Sequence, residues 1–247
     1  MVRVEPAWID THVHLDRYQG AERDAMVALA KVAGVAIVAV AVDLASSRVV
    51  AGLEGVAGCA VGVHPLRATG WAGEALRDLA RMPGVVAIGE CGFDGAGPDG
   101  AVQASAFRGQ CELAREAGLP VILHIHGAGA WERLVEDADA LSGLTVVRHY
   151  FTGDARQAEW HAERGHFVSF GRPLLREPGL QAVCRGYPAG LILVETDSYP
   201  LAGRTTEPRD VVEVGEATGG LRGWTPEEAR ERLYRNSLAA FPGLRFG

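Results

Sequence analysis

The feature that most constrains the fold is a beat of eight short apolar runs, at residues 8–14, 35–42, 59–63, 85–89, 120–124, 145–149, 167–170 and 191–195. Runs of this length bounded by turn-forming residues suit strands, whereas the stretches between them carry apolar residues at helical spacing. Residues 101–117 place Phe107, Cys111 and Ala114 on one helical face. Residues 225–240 open with Thr225 as N-cap, Pro226 in the first turn and Glu228 three residues on, which is a capping box. Several of the strands are apolar throughout, as expected when both faces of a parallel sheet are covered.

Eight strand–helix units in 247 residues fit a closed (β/α)8 TIM barrel, for which about 250 residues is usual. An open nucleotide-binding sheet is disfavoured because no GxGxxG or Walker-type glycine loop follows the first strand. The 32 glycines are scattered, and no Pro/Ser linker or like-charge run divides the chain, so residues 1–247 read as one domain.

The first residues lack the apolar core of a secretory signal, and the longest apolar run, 35–42, falls well short of the roughly 20 residues that span a bilayer. Cys59, Cys91, Cys111 and Cys184 form no CxxC pair, which argues against a disulfide framework or a thiolate zinc site. The expectation is a cytoplasmic protein with no membrane contact and no obligate protein partner. A net charge of −7 weighs against extended duplex binding, although metal ions can supply positive charge where a phosphate must sit.

Polar residues fall where a barrel gathers its chemistry. His12 and His14 end the first strand, Glu90 follows the fourth, His124 ends the fifth, His149 ends the sixth, and Asp197 lies just past the eighth. The C-terminal ends of barrel strands converge on one mouth. His12 and His14, two apart, face the same side. One histidine at a strand end is usually a hydrogen-bonded core residue. Four imidazoles and two carboxylates at successive junctions are costly to bury without cations. Nitrogen and oxygen ligands of this kind suit Zn, Mn, Fe or Ni.

The segments IDTHVHLD (9–16), GVHP (62–65), GECGFD (89–94), LPVILHIH (119–126), RHYFTG (148–153), FVSFGRP (167–173) and VETDSYP (194–200) resemble, in order, those of TatD-family proteins. The resemblance spans essentially the whole chain. It implies an amidohydrolase-type TIM barrel that uses two divalent metal ions (Zn, Mg or Mn) and acts as a deoxyribonuclease on DNA, on single strands or ends. By the same resemblance His12, His14, Glu90 and Asp197 hold one metal, Glu90 bridges to a second held by His124 and His149, and His64 lies near the substrate phosphate. Asp197 would orient and deprotonate the attacking water while Glu90 fixes the metal spacing, which makes these two the catalytic carboxylates.

Two positions depart from the family pattern. Leu66 stands where a second histidine often follows the HP of strand 3, and His126 stands where arginine commonly follows the strand-5 histidine. Both departures concern substrate contacts, so a second reading is hydrolysis of a small ester, lactone, amide or phosphomonoester on the same scaffold. A non-catalytic barrel would be favoured by a missing ligand, and none is missing. His126 is expected inward by alternation with His124, in contact with substrate or as an extra ligand. Arg172 and Arg67 are candidate phosphate partners. Glu195 reads as support behind a ligand, Asp16 as a helix cap or loop closure, Cys91 as packing, and Asp94 as either structural or supportive of Glu90.

Overall fold

A computed structural model describes residues 7–201 and 204–246. Eight parallel strands form one sheet in sequence order: β1 (Trp8–Val13), β2 (Val35–Val40), β3 (Gly58–Val61), β4 (Val85–Asp94), β5 (Val121–His126), β6 (Val146–Arg148), β7 (Phe167–Phe170) and β8 (Ile192–Val194). The last strand meets the first. Asp197 N–H donates to His12 O and His14 N–H to Ser198 O, each at 3.0 Å, and the Thr11 hydroxyl donates to Val194 O. The sheet therefore curls into the (β/α)8 barrel that the alternation of runs predicts.

Helices α1 (Gly20–Val32), α2 (Leu44–Ala51), α3 (Gly73–Ala80), α4 (Gly100–Ala117), α5 (Ala130–Glu136), α6 (Ala155–Glu163) and α7 (Pro178–Gly186) return the chain between strands. Helices α8 (Val211–Arg222) and α9 (Pro226–Ala240) follow β8. The start of α9 forms as its sequence predicts, with Thr225 Oγ1 accepting from Glu228 N–H and the Glu228 carboxylate accepting from Thr225 N–H. Two orphan amides of the first turn are thereby satisfied. Among the described residues no helix is long and apolar enough to cross a membrane.

Strand alternation sorts the core into two shells. Val38, Val40, Ala87, Ile122 and Leu193 pack inside the ring, and Phe241, just past α9, is fully buried in that inner cluster. Ile37, Ala39, Val61 and Leu123 turn outward to the helices. Burying one such large side chain is worth about 1.5–3 kcal/mol, so the two shells supply the drive for closure.

Two strand ends differ from the sequence expectation. β4 continues through Glu90 to Asp94 instead of stopping at Gly89, and β5 continues to His126. Glycine ordinarily punctuates a strand, but here Gly92 permits the ladder: its φ is 140° and an added Cβ would lie 2.1 Å from His124 O. His124 therefore sits within the paired ladder opposite Gly92, and Glu90 at the irregularity between Ile88 and Cys91 where the register shifts.

Candidate metal centre

The strand ends bring His12, His14, Glu90, His124, His149 and Asp197 into one cluster at the C-terminal mouth. Glu90, 2% exposed, lies at its middle and divides its carboxylate. Oε1 faces His14 Nε2 at 3.3 Å and His12 Nε2 at 3.7 Å, while Oε2 faces His149 Nε2 at 2.8 Å and His124 Nδ1 at 3.1 Å. Asp197 Oδ1 closes the first half, 3.2 Å from His14 Nε2 and 3.9 Å from His12 Nε2. Donor atoms about 3.0–3.4 Å apart are the edges of a coordination polyhedron whose bonds are about 2.1 Å long.

The outer nitrogens decide which lone pairs face inward. His14 Nδ1 lies 3.0 Å from Val40 O, which can only accept, so that nitrogen keeps its hydrogen and Nε2 is the free one. His124 turns Nε2 to Asp94 Oδ2 at 3.2 Å, and His149 turns Nδ1 to Glu195 Oε1 at 3.3 Å. Three imidazoles thus have their outer face held by an acceptor, the arrangement that orients metal-binding histidines. His12 is fully buried, and neither of its nitrogens has a hydrogen-bond partner. An orphaned buried imidazole beside two carboxylates is unfavourable unless a cation is there to take its lone pair. The donor set fits a divalent metal.

His64 behaves differently. It comes within 3.9 Å of Glu90 Oε2 and close to His124, so it too belongs to a group able to surround an ion. Its Nδ1, however, accepts from Leu66 N–H at 3.0 Å, so the neutral ring carries its hydrogen on Nε2. That favours a donor aimed into the mouth over a ligand.

Without metal, protons supply the missing positive charge. Burial opposes charging His14 and His149, but Asp197 and Glu90 outweigh it for the first, raising it to about 9, and Glu90 and Glu195 for the second, raising it to about 10. Burial also opposes ionisation of Asp197 and Glu90. His14 nevertheless holds Asp197 down at about 2, and His149 and His12 hold Glu90 well below the carboxylate range. The His12 ring stacks on His149 at 4.0 Å, and burial together with the His149 cation lowers His12.

Around this centre lies a cavity of about 320 Å³ lined by His126, Arg148, Tyr150, Arg172, Arg176 and Tyr199, among others. Its wall revises several expectations. His126 is exposed at the rim, its ring 6.2 Å from His124, and belongs to none of the groups able to surround an ion. Arg172 lines the cavity, but its guanidinium is engaged by Glu213 at 2.9 Å. Arg67 is exposed and faces Asp43. Asp16 caps nothing; its Oδ1 is buried without a partner near His14. Asp10 is structural, accepting from the Thr196 hydroxyl at 2.5 Å and amide at 3.0 Å. Cys91 packs in the core. Arg148 went unremarked in the sequence, although a charge in the buried run Val146–Arg148 is itself a signal. A larger cleft of about 880 Å³ lies outside the barrel between α6 and α7, and among the described residues it holds no ligating cluster.

Comparison with known proteins agrees with this geometry. The family described as TatD related DNase matches residues 9–242. The chain belongs to the TatD family. An uncharacterized metal-dependent hydrolase TatD from Mycobacterium tuberculosis is 33% identical over 261 residues, covering 94% of this chain and 97% of that protein. A protein named 3'-5' ssDNA/RNA exonuclease TatD, from Cronobacter turicensis, is 37% identical over 202 residues, covering 76% of each. The crystal structure of YJJV, a TatD homologue from Escherichia coli, superposes with a TM-score of 0.84 at 26% identity, covering 97% of this chain and 99% of that one. This TatD protein is therefore a metal-dependent hydrolase of ester bonds with clusters of histidine and glutamate able to bind metal.

Proposed function

We propose that this TatD protein is a deoxyribonuclease that hydrolyses phosphodiester bonds in single-stranded DNA or at DNA ends, with two divalent ions, Zn, Mg or Mn, held by the cluster at the mouth. The observation that carries this reading is the division of Glu90. One oxygen faces His12 and His14 and the other faces His124 and His149, so one carboxylate serves two ligand groups. His12, His14, Asp197 and Glu90 would hold one ion, and Glu90, His124 and His149 the other. When bound, the ions would polarise the phosphoryl oxygens and acidify water.

The residues of the chain divide the remaining work. Asp197 carries its carboxylate on a left-handed backbone position, φ 51°, anchored by its own N–H to His12 O. Ionised as a ligand, it accepts the proton of the attacking water. His64 offers Nε2–H to a phosphoryl oxygen, since burial, with His124 and His149 nearby, lowers it to about 4 and keeps it neutral at pH 7. Asp94 and Glu195 hold His124 and His149 in register. The relative named as an ssDNA/RNA exonuclease supports a nucleic acid as substrate.

The cavity of about 320 Å³ lies at the lower end of the range for small-molecule sites, which is the observation favouring the small-ester reading. The deciding experiment is to load the purified protein with each metal, count ions per chain, and digest end-labelled single- and double-stranded DNA. Cleavage from single-stranded ends with two ions per chain is the expected result. Two ions per chain with no cleavage of any DNA would reject the nuclease in favour of a small ester.

A further inference from the structure

Among the described residues one cation in the mouth has no carboxylate within ion-pair distance. Arg148 ends β6 and is only 5% exposed, yet it lines the cavity. Its guanidinium donates to His149 O and, at 2.6 Å, to Ile125 O. Among the described residues it forms no ion pair, and Glu195 and Glu90 act on it only through space. A guanidinium keeps its charge at neutral pH even when buried. A guanidinium carries five N–H donors. Two carbonyl bonds leave donors over, and carbonyls do not neutralise it. A buried, charged donor beside a solvent-filled cavity is poised for an anion.

The neighbours share that bias. Arg176, on the same wall, meets only the exposed Glu177, at 3.7 Å. Tyr150, half-buried, holds a left-handed backbone with φ 42°, fixed by its N–H to Glu195 Oε1 at 2.7 Å. Arg172 is the exception, since Glu213 already answers its charge. This wall belongs to β6 and the loops after β6 and β7, whereas His12 and His14 sit across the mouth on β1 and the turn that follows it. An anion bound here would be a second one, beside that at the metal centre.

We propose that Arg148, with Arg176 and Tyr150, forms a subsite for the phosphate that flanks the scissile linkage of a single-stranded polynucleotide. The proposal rests on the nuclease reading and narrows it, because a small ester, lactone or phosphomonoester has no second phosphate to place. Arg148 is a binding residue here, not one that takes part in bond cleavage.

The test is a charge-deletion cycle read by binding. A fluorescent single-stranded DNA tetranucleotide is compared with versions in which each linkage in turn is a neutral methylphosphonate. Affinity is measured by stopped-flow anisotropy, ahead of any cleavage, on the metal-loaded wild type, Arg148→Met and Arg148→Lys. Arg148→Met should weaken the all-phosphate strand about tenfold or more and leave one methylphosphonate version unchanged. Arg148→Lys, which keeps the charge, should retain part of the coupling. A loss of equal size on every strand would show that Arg148 only clamps β5 to the residue after β6 through Ile125 O and His149 O, and no loss at all would equally overturn the subsite. Cleavage by the wild type without coupling removes the subsite and keeps the nuclease. Coupling without cleavage keeps the subsite and removes the nuclease.

Discussion

His124 directs Nε2 at the Asp94 carboxylate, 3.2 Å away, which leaves Nδ1 as the nitrogen facing Glu90. The His124 hydrogen bond, with lesser contributions around it, holds Asp94 below the usual carboxylate range, so the acceptor is a full charge. Asp94→Asn should lower metal affinity about 10–100-fold while leaving the metal-free melting temperature close to wild type. Competition against a chelating dye reads the affinity, and a change of less than twofold would refute the positioning role.

Asp197→Asn keeps the size and the backbone bond to His12 but removes the group that accepts the water proton. Turnover should fall about 10²–10⁴-fold with the fold intact. Single-turnover kinetics on protein with metal content verified checks this, and near-wild-type rates with metal bound would remove Asp197 from proton transfer.

Gly92 is the point where β4 presses closest on β5. Alanine there must take a φ of 140° and place Cβ 2.1 Å from His124 O, so the strand has to move. Gly92→Ala should cost at least about 2 kcal/mol, or roughly 4–8 °C in melting temperature. Because the displaced carbonyl belongs to His124, metal affinity should fall as well. A variant as stable as wild type would mean that the ladder yields freely.

Outside the ligand cluster, His161 on α6 and His166 before β7 face each other Nδ1 to Nδ1 at 3.0 Å, both buried. Burial comes first in lowering both, with Arg148 adding to it at His161 and Arg164 at His166, which is brought to about 4. The unfolded chain protonates both near 6.5, so below that pH it binds more protons than the folded one. The His166 contribution is full above about pH 6.5 and is lost as pH falls towards 4, and His161 acts in the same direction. His14 and His149, raised in the metal-free protein, act with the opposite sign. The clean measure is therefore the difference between wild type and His166→Gln in urea unfolding at pH 7.5 and 5. Identical pH slopes would contradict the assignment.

The barrel was legible because β-runs and amphipathic stretches alternate without interruption, and the capping box at Thr225 is local chemistry that needs no tertiary information. The ligand positions were legible for the same reason, since strand order fixes which ends meet. What escaped the sequence is whatever depends on side-chain partners across elements. Nothing local says that Glu213 reaches Arg172, that Leu66 N–H claims His64 Nδ1, or that Arg148 donates to the carbonyls of His149 and Ile125. Alternation along the strand also overstates how far His126 turns inward, because β5 is at its last residue there and the side chain lies at the exposed rim of the cavity.

The bond from Asp197 N–H to His12 O joins the two ends of the sheet at the same residues whose side chains meet over Glu90. The seam of the barrel and the seat of its chemistry are one place. During synthesis no partial cylinder can assemble the first ligand group, because Asp197 follows His12 by 185 residues. Ion capture thus acts as a proofreader of completion: a divalent ion that stabilises only the closed ring, by mass action, rewards the whole chain and no fragment of it.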